Sequence, residues 1–341
     1  MTTKKADAPA IRDFLSKLKE QPWLTADQRS WPGSLYRFEH VEAAASVLNS
    51  GVLLSRGEAQ RRGWLKRDCA SAEIISQTPD KWKDCVRLYF RPLTPMQFNT
   101  EGHRPAGEYV RGASCPVPVV FKFDAASILT RDATRFSDGN LAATSRVSVG
   151  DDSGFLSRIP FRLVYHNTWM PGEQKEDLTF RRHAEAIVPK ELRLSALQAV
   201  LCRTTAEMET LLHLLSDKAR ASWAERIGTK ASLFYKRWSF VESATLTREK
   251  AKFNFNPSSQ TPGPFLADVR FTALPSGRRF VWRKEGYYTN QAMKFGAGRV
   301  PESSLQVTLH AAGHPADYEV ELRLNSELAY ATVHHEDSVP F

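Results

Sequence analysis

Apolar residues at Ile11, Phe14, Leu15 and Leu18 recur at the i, i+3, i+4, i+7 spacing of an amphipathic helix, and Pro22 ends the pattern. The stretch QPWLTADQRSWPGS reads as a loop, LYRFEH alternates as a strand does, and VEAAASVLNSG reads as a short helix closed by Gly51. Val86–Phe90 (VRLYF), Val117–Phe123 (VPVVFKF) and Phe161–His166 (FRLVYH) are predicted strands, with turn chemistry at Ser137–Asn140 (SDGN). TTAEMETLLHLL opens a helix with Thr204 and Glu207 at capping-box spacing, and the pattern continues through Trp223 to Ile227. Beyond about Phe234 the period changes to two: KAKFNFN, LADVRFTAL, RRFVWRK, LQVTLHA, YEVELRL and LAYATVHH alternate between turn residues. The fold class is α+β, with a C-terminal β-sandwich-like region.

One short segment resists a purely structural reading. FRRHAEAIVP (Phe180–Pro189) is too short for a helix and ends on a proline, while Ile187 and Val188 are β-branched. Ala184–Val188 is therefore predicted as a buried strand carrying a single acid, Glu185. Such a carboxylate is either paired with a neighbouring arginine for structure or aimed into a cleft for chemistry. By alternation Arg181 and His183 share the face of Glu185, and Arg182 and Ala184 share the other.

Composition narrows the class. With 341 residues, 42% of them apolar, the chain can bury one large core or two ordinary ones. No apolar run approaches the ~18 residues of a membrane span, and the first residues lack the apolar segment of a secretory signal. Cys69, Cys85, Cys115 and Cys202 are widely spaced, which argues against a zinc site and a disulfide framework and points to a cytoplasmic protein. The net charge of +9 implies an anionic partner, with nucleic acid foremost. The basic stretches Arg56–Arg67, Lys236–Lys252 and Arg278–Lys284 interleave with Trp64, Trp238 and Trp282. Phosphate neutralisation and base stacking use those residue types, although solvated surface faces would look the same.

No GxGxxG, Walker-A or HExxH pattern occurs, and the histidines form no metal-ligand spacing; His334 and His335 point to opposite faces of their strand. Cys85–Pro105 (CVRLYFRPLTPMQFNTEGHRP) is unusual. A strand with two aromatics runs into Arg91, and Pro92 and Pro95 stiffen a loop that holds Met96, Gln97 and Phe98.

LYRFEHVEAAASVLNSGVLLS, VRLYFRPLTPMQF and RRHAEAIVP, in that order, resemble the DarT family of ADP-ribosyltransferases over roughly Leu35–Leu192. Ala43 stands where the family pattern has asparagine. SAEIISQTPDKWKDC lacks the pattern's arginines, a function that Arg87 or Arg91 would take over. The resemblance implies a split antiparallel β-sheet core that clamps NAD. With the change of period near Phe234, the chain is expected to divide into an N-terminal helix and linker (1–30), a transferase domain (31–233) and a C-terminal β-rich domain (234–341), the last outside the resemblance. Glu185 would stabilise the ribose cation as nicotinamide leaves, with Arg91 assisting or holding diphosphate. Tyr36, Arg37, His40, Arg87 and Tyr89 would contact NAD, and Met96, Gln97 and Arg181 the acceptor.

The expected reaction is transfer of ADP-ribose from NAD to a nucleobase of single-stranded DNA. The chain would then be the toxin of a toxin–antitoxin or phage-defence system, with an antitoxin partner, no metal and no membrane. RNA is the alternative acceptor. A nucleic-acid-binding module without catalysis is the alternative class, and an NAD glycohydrolase is a third.

Overall fold

The helix Ala8–Lys19 forms where the apolar spacing puts it: Ile11, Leu15 and Leu18 are buried along one face, and a proline occupies its first turn. This computed structural model describes residues 3–65, 69, 71–105, 107–256, 260, 262–290, 303–309 and 313–336. The chain divides into two compact units, interleaved in sequence. One comprises Met1–Phe38, Ser50–Phe98 and Val120–Val200. The other comprises Glu39–Asn49, Asn99–Val119 and Leu201–Phe341.

Among the described residues the first nine strands are β1 (Ser34–His40), β2 (Val52–Leu54), β3 (Cys85–Tyr89), β4 (Pro118–Asp124), β5 (Arg135–Ser137), β6 (Val149–Gly150), β7 (Glu185–Pro189), β8 (Glu191–Arg193) and β9 (Leu197–Cys202). Seven of them are consecutive in one sheet, in the order β9–β4–β1–β3–β7–β5–β6. The ladders β1–β3, β3–β7, β5–β7 and β5–β6 are antiparallel, and β2 and β8 form a separate antiparallel pair. β7 is the strand predicted from FRRHAEAIVP, and its first four residues are buried. Turn bonds from His183 N–H to Phe180 O and from Ala184 N–H to Arg181 O deliver the chain into it. The turn at Ser137–Asn140 needs its glycine, because a Cβ on Gly139 would lie 2.3 Å from the Phe180 ring.

Three local expectations are corrected. FRLVYH is not a strand: Phe161–Val164 makes one helical turn started by Pro160. Its rings pack tightly, with Phe161 5.2 Å from Phe90 and Tyr165 5.7 Å from Trp31; the buried Phe161, Val164 and Tyr165 fall at i, i+3 and i+4 while Arg162 is exposed, but one turn is too short for that spacing to stand out in the sequence. Met96 and Gln97 lie not in a loop but on the helix Pro95–Thr100. Its start is a capping box: Thr94 Oγ1 accepts Gln97 N–H at 3.2 Å, with Pro95 in the first turn. The helix after Thr204 stops at Leu214, and Ser216 caps a second one, Asp217–Trp223.

In the second unit, β10 (Ile227–Thr229) precedes β11 (Val241–Leu246), β12 (Lys250–Phe255), β13 (Phe265–Leu274), β14 (Arg279–Tyr287), β15 (Ser304–Thr308), β16 (Asp317–Leu324) and β17 (Glu327–His334). β10 extends the first sheet beside β9, and β11–β17 form a three-stranded sheet β11–β12–β15 and a four-stranded sheet β14–β13–β16–β17, all antiparallel. Alternating residues of both sheets, among them Phe253, Phe255, Val269, Phe271, Val320 and Tyr330, share one core, as a sandwich requires. The helix Thr205–Leu214 docks on β17, where Tyr330 Oη donates to Glu209 at 2.7 Å and Thr210 Oγ1 accepts Ala331 N–H at 3.1 Å. All four cysteines are free. No helix among the described residues is long and apolar enough to cross a membrane.

Candidate active site

Strand register assembles the site. Tyr36 on β1 stands opposite Tyr89 on β3, and Tyr89 stands opposite Glu185 on β7. Opposed residues of antiparallel strands present their side chains to the same face, so the three form one row, with neighbouring Cβ atoms about 5 Å apart. Arg87 lies two residues from Tyr89 on that face and grips Glu185 with both arms. Its Nε donates to Oε2, and its Nη2 donates to Oε1 at 2.5 Å. Ser137 Oγ accepts the Glu185 N–H at 3.1 Å and fixes where the strand begins.

The pair is asymmetric. The Glu185 side chain is 0% exposed, whereas Arg87 is 21% exposed. Burial weighs against the Arg87 charge, but the Glu185 carboxylate more than offsets it, so the guanidinium pKa is raised. Among the described residues the carboxylate accepts no third hydrogen bond and Arg87 Nη1 donates none. A carboxylate offers about four acceptor sites, so roughly half its capacity is uncommitted. Around it, the Tyr36 phenol is pushed up to about 12 by burial, which outweighs bonds to Ser34 and Ser30. Tyr89 donates to Met96 Sδ at 3.6 Å. His183 stacks edge-on with Tyr89 at 6.3 Å, its Nδ1 lies 2.8 Å from Thr179 O, and burial lowers its pKa.

Tyr36, Arg87, Tyr89, Met96 and Glu185 are thus brought together, and the remaining residues expected at the site lie in other settings. Arg91 is fully buried and faces acceptors on every side: Pro92 O at 2.9 Å, Val164 O at 3.0 Å, His166 O at 2.5 Å and Asn167 Oδ1 at 2.7 Å. These bonds pin the segment after Val164, and they spend the donors that a diphosphate would need. Arg181 is the last residue of the helix Lys175–Arg181, so strand alternation does not reach it, and its guanidinium binds Asp138 at 2.7 Å. Alternation along β1 turns Arg37 to the face opposite Tyr36, and its Nη1 reaches Arg87 O at 3.4 Å. Gln97 is buried. His40 belongs to the second unit, where its Nδ1 accepts Glu42 N–H at 3.4 Å. Alternation places His183 on the face of Glu185 but gives it no role, and Ser137 was missed; only the fold shows Ser137 of SDGN meeting β7.

The basic stretches also differ from expectation. Arg61 and Arg62 are matched by Glu58, Asp84 and Glu191, and Lys66 and Arg67 lie outside the described residues. Trp238 is buried with Arg104 stacked 3.8 Å above it, and Trp282 packs on the sandwich core. Trp64 is half exposed and Trp282 partly buried, so of the three tryptophans Trp64 is the most open to a base. No group of three His, Cys, Asp or Glu residues placed to hold a metal occurs among the described residues.

A family model described as "ssDNA thymidine ADP-ribosyltransferase, DarT" matches residues 36–235, well over half of the chain. Among solved structures the chain is similar to Thermus sp. 2.9 DarT in complex with ADP-ribosylated ssDNA, at 18% identity and TM-score 0.47 over 60% of this chain and 97% of that one. It is similar to the same protein in complex with NAD+, at 17% and 0.46 over 60% and 98%. It is also similar to Thermosipho africanus DarTG in complex with ADP-ribose, at 16% and 0.45 over 62% of this chain and 53% of that one. No curated protein matches.

Proposed function

The chain belongs to the DarT family of ADP-ribosyltransferases, and from that premise we propose that it transfers ADP-ribose from NAD to thymidine in single-stranded DNA, with Glu185 as the catalytic carboxylate. The observation that supports this reading is the Arg87–Glu185 pair at the end of the row Tyr36–Tyr89–Glu185, inside the matched segment. Loss of nicotinamide places positive charge on the ribose C1′, as glycoside cleavage does. Glu185, held in place by the two hydrogen bonds from Arg87, uses its uncommitted lone pairs to orient a ribose hydroxyl and to stabilise that charge. The C1′–nicotinamide bond breaks, thymine forms the new bond to C1′, and the proton displaced from the thymine N–H passes to the carboxylate or to water. The outward Nη1 of Arg87 suits an NAD diphosphate oxygen, and the Tyr89 ring suits the flat nicotinamide.

A bulky ADP-ribose on a base obstructs pairing, so the enzyme acts as the toxin of a toxin–antitoxin or phage-defence pair and needs a neutralising partner. The test is incubation of the purified protein with adenylate-labelled NAD and oligonucleotides with or without thymidine, alongside Glu185→Gln. Label is expected only on thymidine-containing DNA and only with the unmodified protein. Label confined to RNA would transfer the reading to an RNA acceptor. Salt-sensitive binding without any label would leave a binding module. Toxicity on expression, relieved by Glu185→Gln, tests the toxin role.

A further inference from the structure

Ile187 lies two residues from Glu185 on the same face of β7, opposite Arg87 on β3 and Arg135 on β5. Its side chain joins Trp82 and Leu141 in a small apolar cluster on which Val147 and Val149 pack. Trp82, Val147 and Val149 form one wall of a pocket of about 520 Å³ whose mouth carries Lys81, Arg135 and Asp151. The pocket thus adjoins, through Trp82, the cluster of Ile187, which lies about 7 Å along β7 from Glu185, and the strands that line it, β5 and β6, lie on the opposite side of β7 from the tyrosine row.

Its chemistry is that of a nucleoside phosphate site. Lys81 and Arg135 are both exposed, and neither has a carboxylate partner among the described residues; the Lys81 ammonium rests 4.7 Å over the Trp82 ring. Asp151 is the one acid at the rim; its charge opposes, without overcoming, the lowering of the Lys5 pKa by burial, and no ion pair joins it to Lys81 or Arg135 among the described residues. Two unmatched cations above an apolar wall neutralise phosphate while a base or sugar covers the wall. A volume of this size admits one nucleotide unit. The acceptor strand is the favoured source, because displacement at C1′ brings the nucleophile from the side away from nicotinamide. With nicotinamide on the Tyr89 side of Glu185, the DNA approaches over β5 and β6.

We propose that this pocket is a subsite for the acceptor strand, holding a nucleotide next to the modified thymidine with its phosphate on Lys81 and Arg135. The proposal rests on the reading of Glu185 as the transfer site, but binding tests it without any turnover. Fluorescein-labelled oligothymidylate is titrated by anisotropy into the full-length protein and into the double variant Lys81→Ala/Arg135→Ala across a range of salt concentrations. The variant is expected to raise Kd about tenfold and to flatten the slope of log Kd against log salt by about 1.4, the value for two released counterions on a single strand. The conservative double variant Lys81→Arg/Arg135→Lys is expected to keep both, and KM for NAD in nicotinamide release is expected to stay unchanged. An unaltered Kd and slope, or a protein that binds no oligothymidylate, would overturn the subsite. So would a raised KM for NAD with DNA binding intact, which would give the pocket to the dinucleotide. DNA binding through these residues without transfer of label would instead refute the proposed reaction and leave the subsite standing.

Discussion

Two buried arginine–carboxylate groups, one in each unit, use the same ions to opposite ends. In the second unit Arg203 donates to Glu207, to Glu101 at 3.1 Å and to Pro116 O at 3.1 Å, and its guanidinium lies 3.9 Å over the Phe240 ring. Glu101 also accepts the backbone N–H groups of Tyr235 and Lys236, and Glu207 that of Arg203. All three side chains are sealed from solvent. In the first unit Arg87 and Glu185 share two bonds, one member reaches solvent, and both keep spare hydrogen-bonding capacity. A buried charge whose every valence is spent can only hold structure; one with a spare valence beside a partner that reaches solvent can act on a ligand.

Breaking the sealed group gives the largest expected effect. Arg203→Met strands two buried carboxylates and should cost about 3–5 kcal/mol of stability in denaturant titration. Burial already pushes the Glu207 pKa up, so this acid will respond by binding a proton, and the loss should shrink at low pH. Glu185→Gln should do the reverse. Transfer to DNA should fall about 10³-fold, the scale of removing a transition-state electrostatic partner. Stability should change far less than in Arg203→Met, since the abandoned Arg87 already reaches water. Equal destabilisation in the two variants would erase the distinction between the groups.

Sequence reading finds what is local and misses what is shared between distant segments. The first helix was legible from Ile11, Leu15 and Leu18, the β7 strand from Ile187, Val188 and Pro189, and the cap at Thr204 from Glu207 three residues on. The capping box at Thr94–Gln97 was equally available, but the two prolines around it suggested a loop. Arg87 and Glu185 are 98 residues apart and Arg203 and Glu101 are 102 apart, so only the fold shows which acid each arginine meets. Three of the Arg91 acceptors are backbone carbonyls, which every residue possesses and no side-chain pattern marks. A conspicuous arginine beside the site was for that reason read as chemistry, and the bonds that fasten it to the segment after Val164 were not foreseen.

The smallest effect concerns pH. Burial holds His183 below its ordinary 6.5, with Arg87 and Arg91 acting in the same direction and the Thr179 carbonyl and Glu185 opposing. The unfolded chain therefore takes up this proton first, and between 6.5 and the lower folded value it binds more protons than the native state. Stability must then fall as pH drops through 6.5 and keep falling until the folded group also titrates. Asp268 in the second unit behaves differently. Burial raises its pKa, but hydrogen bonds from Arg270 and Arg283 outweigh that and hold it below 3.8. Its contribution is present above 3.8 and is lost only when pH falls below that value, so it is constant where His183 titrates. Thermal unfolding of the unmodified protein and of His183→Gln at pH 7.5, 6.5 and 5.5 isolates the effect, since other histidines are common to both. The difference in Tm should shift against the unmodified protein as the solution is acidified. Parallel curves would mean that His183 takes up its proton as readily in the folded protein as in the unfolded chain.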